Sequence, residues 1–140
     1  TMRKRCKRVS RPVSTLITPA QHMALMLEPR MHLELILSQT VDLDYQRSVL
    51  GVFNLAAALA FLQSKPQIQN QFEAAQRVMS LLIQGARGPS PEEGDFLRLS
   101  FNQADRHFGI QSGATLARAL DVVDQARADS ETTDKKGSEQ

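Results

Sequence analysis

Residues 49–62 read VLGVFNLAAALAFL, fourteen positions among which Asn54 alone is polar. A helix with this composition is apolar on nearly every side, and such helices lie at the centre of packed bundles. A membrane span needs about 20 residues of this kind, so the stretch predicts a buried core helix running over about 43–63. Asp42 is its expected cap, and Gly51, Ala56, Ala57, Ala58 and Ala60 are small enough to let neighbouring helices approach closely. Asn54 reads as a satisfied core amide.

Working outward, the start signals are helical throughout. Thr18-Pro-Ala-Gln supplies a cap hydroxyl, a proline at the first helical position and a glutamine three residues on. Pro29 is expected to break or kink this helix near Leu27, giving a second segment over about 29–39. Ser64-Lys-Pro-Gln predicts a capping box for a helix over 65–84 whose core stripe is Ile68, Phe72, Ala75, Met79 and Leu82, with Gly85 as its end. Ser90-Pro-Glu-Glu opens a helix over 91–107, with Leu97, Phe101, Ala104 and Phe108 on one face and Gly109 ending it. Ser112 caps a last helix over 113–127 that directs Leu116, Leu120 and Val123 inward. No alternation of β-branched residues persists for four positions. The expectation is an all-α chain, a compact bundle of five to six short helices with disordered termini. Residues 1–14 form a basic leader, 15–127 a single helical domain and 128–140 a polar tail.

Composition narrows the function classes. With 140 residues, 41% apolar and 23% charged, the chain can bury a core without disulfides or metal. Cys6 is the single cysteine, which excludes an internal disulfide and suits a reducing cytoplasm. No apolar run follows the basic start, so no secretory signal is read. Residues 3–11 hold six basic side chains (Arg3, Lys4, Arg5, Lys7, Arg8, Arg11) and no acid, whereas the rest carries 11 basic and 15 acidic residues. The leader reads as a nonspecific nucleic-acid tail or equally as a solvated, vector-derived one, Thr1 standing ahead of Met2.

His22, Glu28, His32 and Glu34 are the metal-ligand candidates, but their spacing does not set three ligands on one helical face. They read as exposed or capping polar residues. Ser100 and His107 lie one helical repeat beyond an i,i+4 contact, and no glycine-rich elbow or phosphate loop exists. The expectation is a protein that is not an enzyme and needs no cofactor.

Two binding readings follow. Residues 102–120, NQADRHFGIQSGATLARAL, are similar in outline to the helix-turn-helix of Fis-type nucleoid proteins, with Asn-Gln, Gly-Ile and Gly-Thr-Leu in that order. The spacing departs from that pattern, since Ala114 intervenes before Thr115-Leu116 and Asn102 to Gly109 is short. The second helix also offers only Arg118 and Arg127 against Asp121 and Asp124, a poor balance for phosphate contact. Specific DNA binding through Arg118 and the basic leader is therefore the lesser reading. The favoured one is capture of a protein partner by Met23, Met26, Leu27, Met31 and Leu35. Methionine is flexible and polarisable and suits an adaptable surface. The core helix already supplies a centre, so these residues exceed what a small domain encloses.

The stretch LITPAQHMALMLEPRMHLELIL, followed by QRSVLGVFNLAAALAFL, resembles the QslA group of small pseudomonad antiactivators. The likeness covers residues 16–111 and is one of overall texture, with no diagnostic motif; the basic leader departs from it. It implies an all-helical homodimer that binds a LuxR-type quorum-sensing transcription factor, blocking its dimerisation and so its DNA binding.

Overall fold

The computed structural model describes residues 16–138, with side chains through 132. The basic leader, with Arg3, Lys4, Arg5, Cys6, Lys7, Arg8 and Arg11, lies outside the described residues. Five helices follow one another: α1 (Pro19–Leu37), α2 (Leu43–Leu62), α3 (Pro66–Gly85), α4 (Pro91–Gly109) and α5 (Gly113–Ser138). The all-α bundle expected from the sequence is what the chain forms. Among the described residues the only β pairing is an isolated bridge between Leu16 and Ser112.

Every other helix packs on α2. Val49, Val52, Phe53 and the run Ala56 to Ala60 are buried along it. By length and composition α2 alone among the described helices could cross a membrane, yet half of its apolar window is buried inside the bundle. Gly51 is the exception to the close-approach expectation. It faces open space, so its missing side chain accommodates no neighbour. The stripes of α3 (Phe72, Ala75, Met79, Leu82) and α4 (Leu97, Phe101, Ala104, Phe108) close over α2, with Phe53 and Phe101 meeting edge to face at 6.4 Å. On α5 the buried residue is Ala119, flanked by half-buried Leu116 and Val123. Leu120 is 51% exposed, contrary to the expected stripe, because α5 turns Ala119 inward and position 120 lies about 100° further round the helix.

The helix starts follow the local chemistry. Thr18 and Ser90 both complete capping boxes, with Gln21 and Glu93 as the return partners, and Asp42 accepts from the Asp44 and Tyr45 amides. Ser112 Oγ accepts from Thr115 N at 3.1 Å. Ser64 departs from expectation. Its amide bonds the Phe61 carbonyl and Lys65 N the Ala60 carbonyl, with Ser64 itself at φ 54°. That left-handed closure ends α2. The same residue cannot also take the extended conformation of a cap, so α3 starts from Lys65 without a side-chain cap.

Two further boundaries differ from the sequence reading. α1 passes through Pro29 without a break. An interior proline costs a helix about 3 kcal/mol. Here both halves are anchored by packing, Met26 on one side and Leu33 and Ile36 on the other. α5 continues past residue 127 into the stretch read as a disordered tail. Gln125 bonds Asp129 at 3.0 Å and Thr132 Oγ1 bonds the Ala128 carbonyl at 3.0 Å, and no proline interrupts the run.

α3 runs through Gly85, the expected cap, and is capped one residue later by Ala86, at φ 47° in the left-handed region. A non-glycine residue there bears about 1 kcal/mol of backbone strain. Ala86→Gly is expected to raise stability by about 0.5–1 kcal/mol, seen as a later denaturant midpoint at unchanged slope. The α4 start carries a second testable feature. Arg87 grips Glu93 in a two-pronged pair at 2.8 and 3.0 Å, and the Ser90 amide also donates to it. The Arg87 hydrogen bond, then that of Ser90, lowers the Glu93 carboxyl from 4.5 to about 2. A depressed carboxylate stabilises above its unfolded value, and that stabilisation is lost as pH falls through the folded one. Glu93→Gln is therefore expected to be less stable than the parent at neutral pH. The gap should close between pH 4.5 and about 2 in acid-titrated denaturant melts.

Candidate functional site

The sequence-predicted partner surface divides when the chain folds. Met26 is 4% exposed and belongs to the core, which corrects its assignment to the surface. α1 needs one wedge between its capped start and Leu33, and position 26 shares their side of the helix. Met23, Leu27, Met31 and Leu35 remain open, at 67%, 56%, 58% and 38%. They recur at every fourth residue, so they form one strip about 18 Å long at 1.5 Å of rise per residue. The strip winds around the helix because four residues overshoot one turn.

Polar clamps to α4 hold that helix in place beside the strip. Arg30 Nη2 donates to Asn102 Oδ1 at 3.1 Å and Asp105 Oδ2 at 2.8 Å, while its guanidinium lies 4.8 Å from the centre of the Phe101 ring. His22 Nε2 sits 2.6 Å from Asp105 Oδ1, and Glu34 meets Arg98 at 3.5 Å. Gly109 permits the His22 approach, since a Cβ there would come within 2.9 Å of the imidazole. Sequence reasoning missed Arg30, Asn102 and Asp105. Their partners are more than 70 residues apart, and nothing local signals such a pair. A hollow of about 370 Å³ opens at the N-terminal end of the strip, walled by Pro19, Met23, Leu27 and the Arg30–Asp105 pair.

The other candidate residues are placed as follows. His32 stacks on Tyr45 with centroids 4.6 Å apart, and its Nε2 is 3.9 Å from Glu28. His22 thus faces α4, His32 faces α2 and Glu34 faces Arg98, so the fold sends the three toward different partners. No three His, Cys, Asp or Glu side chains among the described residues converge as metal ligands. The Asn54 amide oxygen accepts from Gln76 at 2.7 Å, joining α2 to α3. The turn at 110–112 does separate two helices, but α5 takes its support from α2. On α5 Arg118 and Arg127 are exposed together with Asp121 and Asp124, so the charges there balance.

Ser100 and His107 are both buried on α4. The Ser100 hydroxyl accepts from Gln71 Nε2 at 3.4 Å, across to α3. Burial, with the charge of Lys65 as a smaller second cause, holds the His107 imidazole below its ordinary value of 6.5. The unfolded chain therefore takes up this proton first, and the native state loses stability as pH drops below 6.5. His107→Leu is expected to remove that part of the decline. Denaturant midpoints of the two proteins, compared at about pH 7.5 and 5.5, measure the difference.

Compared with protein-family models, curated proteins and solved structures, the chain matches none.

Proposed function

We propose that this chain is a non-enzymatic regulatory protein that captures another protein through the apolar strip of α1. One observation carries the reading: four large apolar side chains, Met23, Leu27, Met31 and Leu35, stand open on consecutive turns of one helix. Burying a side chain of this size contributes about 1.5–3 kcal/mol. Met23 and Met31 can adapt to a partner's contour, and the hollow beside Met23 and Leu27 offers a socket for a projecting side chain. The ion pairs of Arg30 with Asp105 and of Arg98 with Glu34 supply a polar border. The QslA resemblance makes the partner a LuxR-type activator in the cytoplasm, and the free chain a homodimer. Covering the activator's dimer surface separates it from paired half-sites, and no catalysis is involved. The acids of α5, which outnumber its basic residues by five to four, give the DNA-binding reading less support.

Leu27→Asp and Met31→Asp are expected to keep the parent's far-UV circular dichroism and melting. They should weaken capture of a purified LuxR-type activator by about 30-fold or more. Met26→Asp, by contrast, is expected to unfold the bundle, because it places a charge in the core. Unchanged capture by both strip variants would remove the strip from the interface. Failure of the parent protein to bind the activator or to inhibit its DNA binding would dismiss that partner.

A further inference from the structure

A second concave site, away from the α1 strip, lies between the first half of α3 and the last half of α4. Its volume is about 490 Å³, within the range of small-molecule pockets. Ile68 and Phe72 from α3 form an apolar floor, and Ile110, 62% exposed, stands at the rim. Three amides surround that floor: Gln67 and Gln71 from α3 and Gln103 from α4. No carboxylate lines the cleft.

The charges of the cleft are all positive. Arg106 lines it, is exposed, and forms no ion pair with any described residue. Lys65 acts electrostatically on His107 from the same end of α3. His107 also lines the cleft, is 8% exposed, and its Nε2 has no hydrogen-bond partner among the described residues.

We propose that this cleft binds a small amphipathic carboxylate. The apolar body lies on Ile68 and Ile110, above the buried Phe72, and the carboxylate is held by Arg106 with the surrounding amides. Arginine matches a carboxylate with two parallel N–H donors, and the absence of competing acids in the wall leaves its fork available. A cationic ligand would meet Arg106 and Lys65 as repulsion. A purely apolar one would gain nothing from the Arg106 charge.

Octanoate is a suitable probe, with octanol as the uncharged molecule of equal chain length. Titration of the full chain, followed by NMR of the Ile68 and Ile110 methyl groups, is expected to show saturable binding of octanoate. Octanol is expected to bind about tenfold or more weakly, and Arg106→Gln to weaken octanoate by about tenfold, the value of a charge-assisted hydrogen bond. Arg106→Lys, which keeps the charge but not the fork, is expected to fall between. Equal binding of octanol, unchanged affinity in Arg106→Gln, saturation confined to α1 methyls, or no saturable binding of octanoate each overturns the proposal. If Arg106→Gln fails to fold, the octanoate–octanol comparison decides by itself. Strip variants such as Met31→Asp are expected to bind octanoate like the parent, which separates this site from the partner surface.

Discussion

The bundle depends on α2, against which each of the other four described helices packs. Four helices share this one wall; α2 is the main neighbour of α1, α3 and α5, while α4 divides its packing among α1, α2 and α3. The short side chains from Ala56 to Ala60 bring the neighbours close, and Phe53 fills the space where α4 crosses, against Phe101. Interiors packed this tightly resist small displacements, so the geometry of the outer helices is inherited from their seat on this wall. Two amides fasten its ends. Gln46 Nε2 reaches the Leu82 and Arg87 carbonyls at 3.4 Å, and Gln63 Nε2 donates to Gln111 Oε1 at 2.7 Å. Gln111 in turn bonds the His107 carbonyl through its side chain and the Ile17 amide through its own carbonyl. One residue in the last turn of the bundle thus ties α2, α4 and the segment leading into α1.

α1 occupies the margin of this arrangement. Met26, Leu33 and Ile36 bury its inner edge, and the Arg30, His22 and Glu34 contacts fix it beside α4. What remains is an apolar outer strip on a helix that is already held at both halves. A surface that is rigid before it binds forfeits little entropy on binding, while its methionine side chains keep enough freedom to fit. The proposed partner capture draws on both properties.

The α3–α4 cleft has the opposite chemistry. The strip is broad, apolar and bordered by paired charges, as protein surfaces that meet other proteins are. The cleft is concave, small and lined by amides and unpaired positive charge around an apolar floor, as sites for small molecules are. Both border α4, yet they use different residues: Asn102 and Asp105 face α1, whereas Gln103, Arg106 and His107 face α3. Helical spacing separates the two sets by the turn of a single helix.

By itself the sequence determined the helical class, the central place of residues 49–62, four of the five helix starts and the core stripes of α3 and α4. These signals act within one or two turns, through caps, prolines and apolar spacing, and so they are written where they operate. Tertiary structure decided the rest. Pro29 and Ser64 behaved against their local signals because packing on both sides of one and closure of α2 at the other outweighed them. The five α1 residues expected to form the partner surface share one texture, and only contact with α2 and α4 decides that Met26 is sealed while Met23, Leu27, Met31 and Leu35 stay open. The Arg30–Asp105 pair and the cleft at His107 join residues from different helices, far apart in the chain. Such neighbourhoods come into being only when the helices pack, since no local pattern encodes which faces will meet.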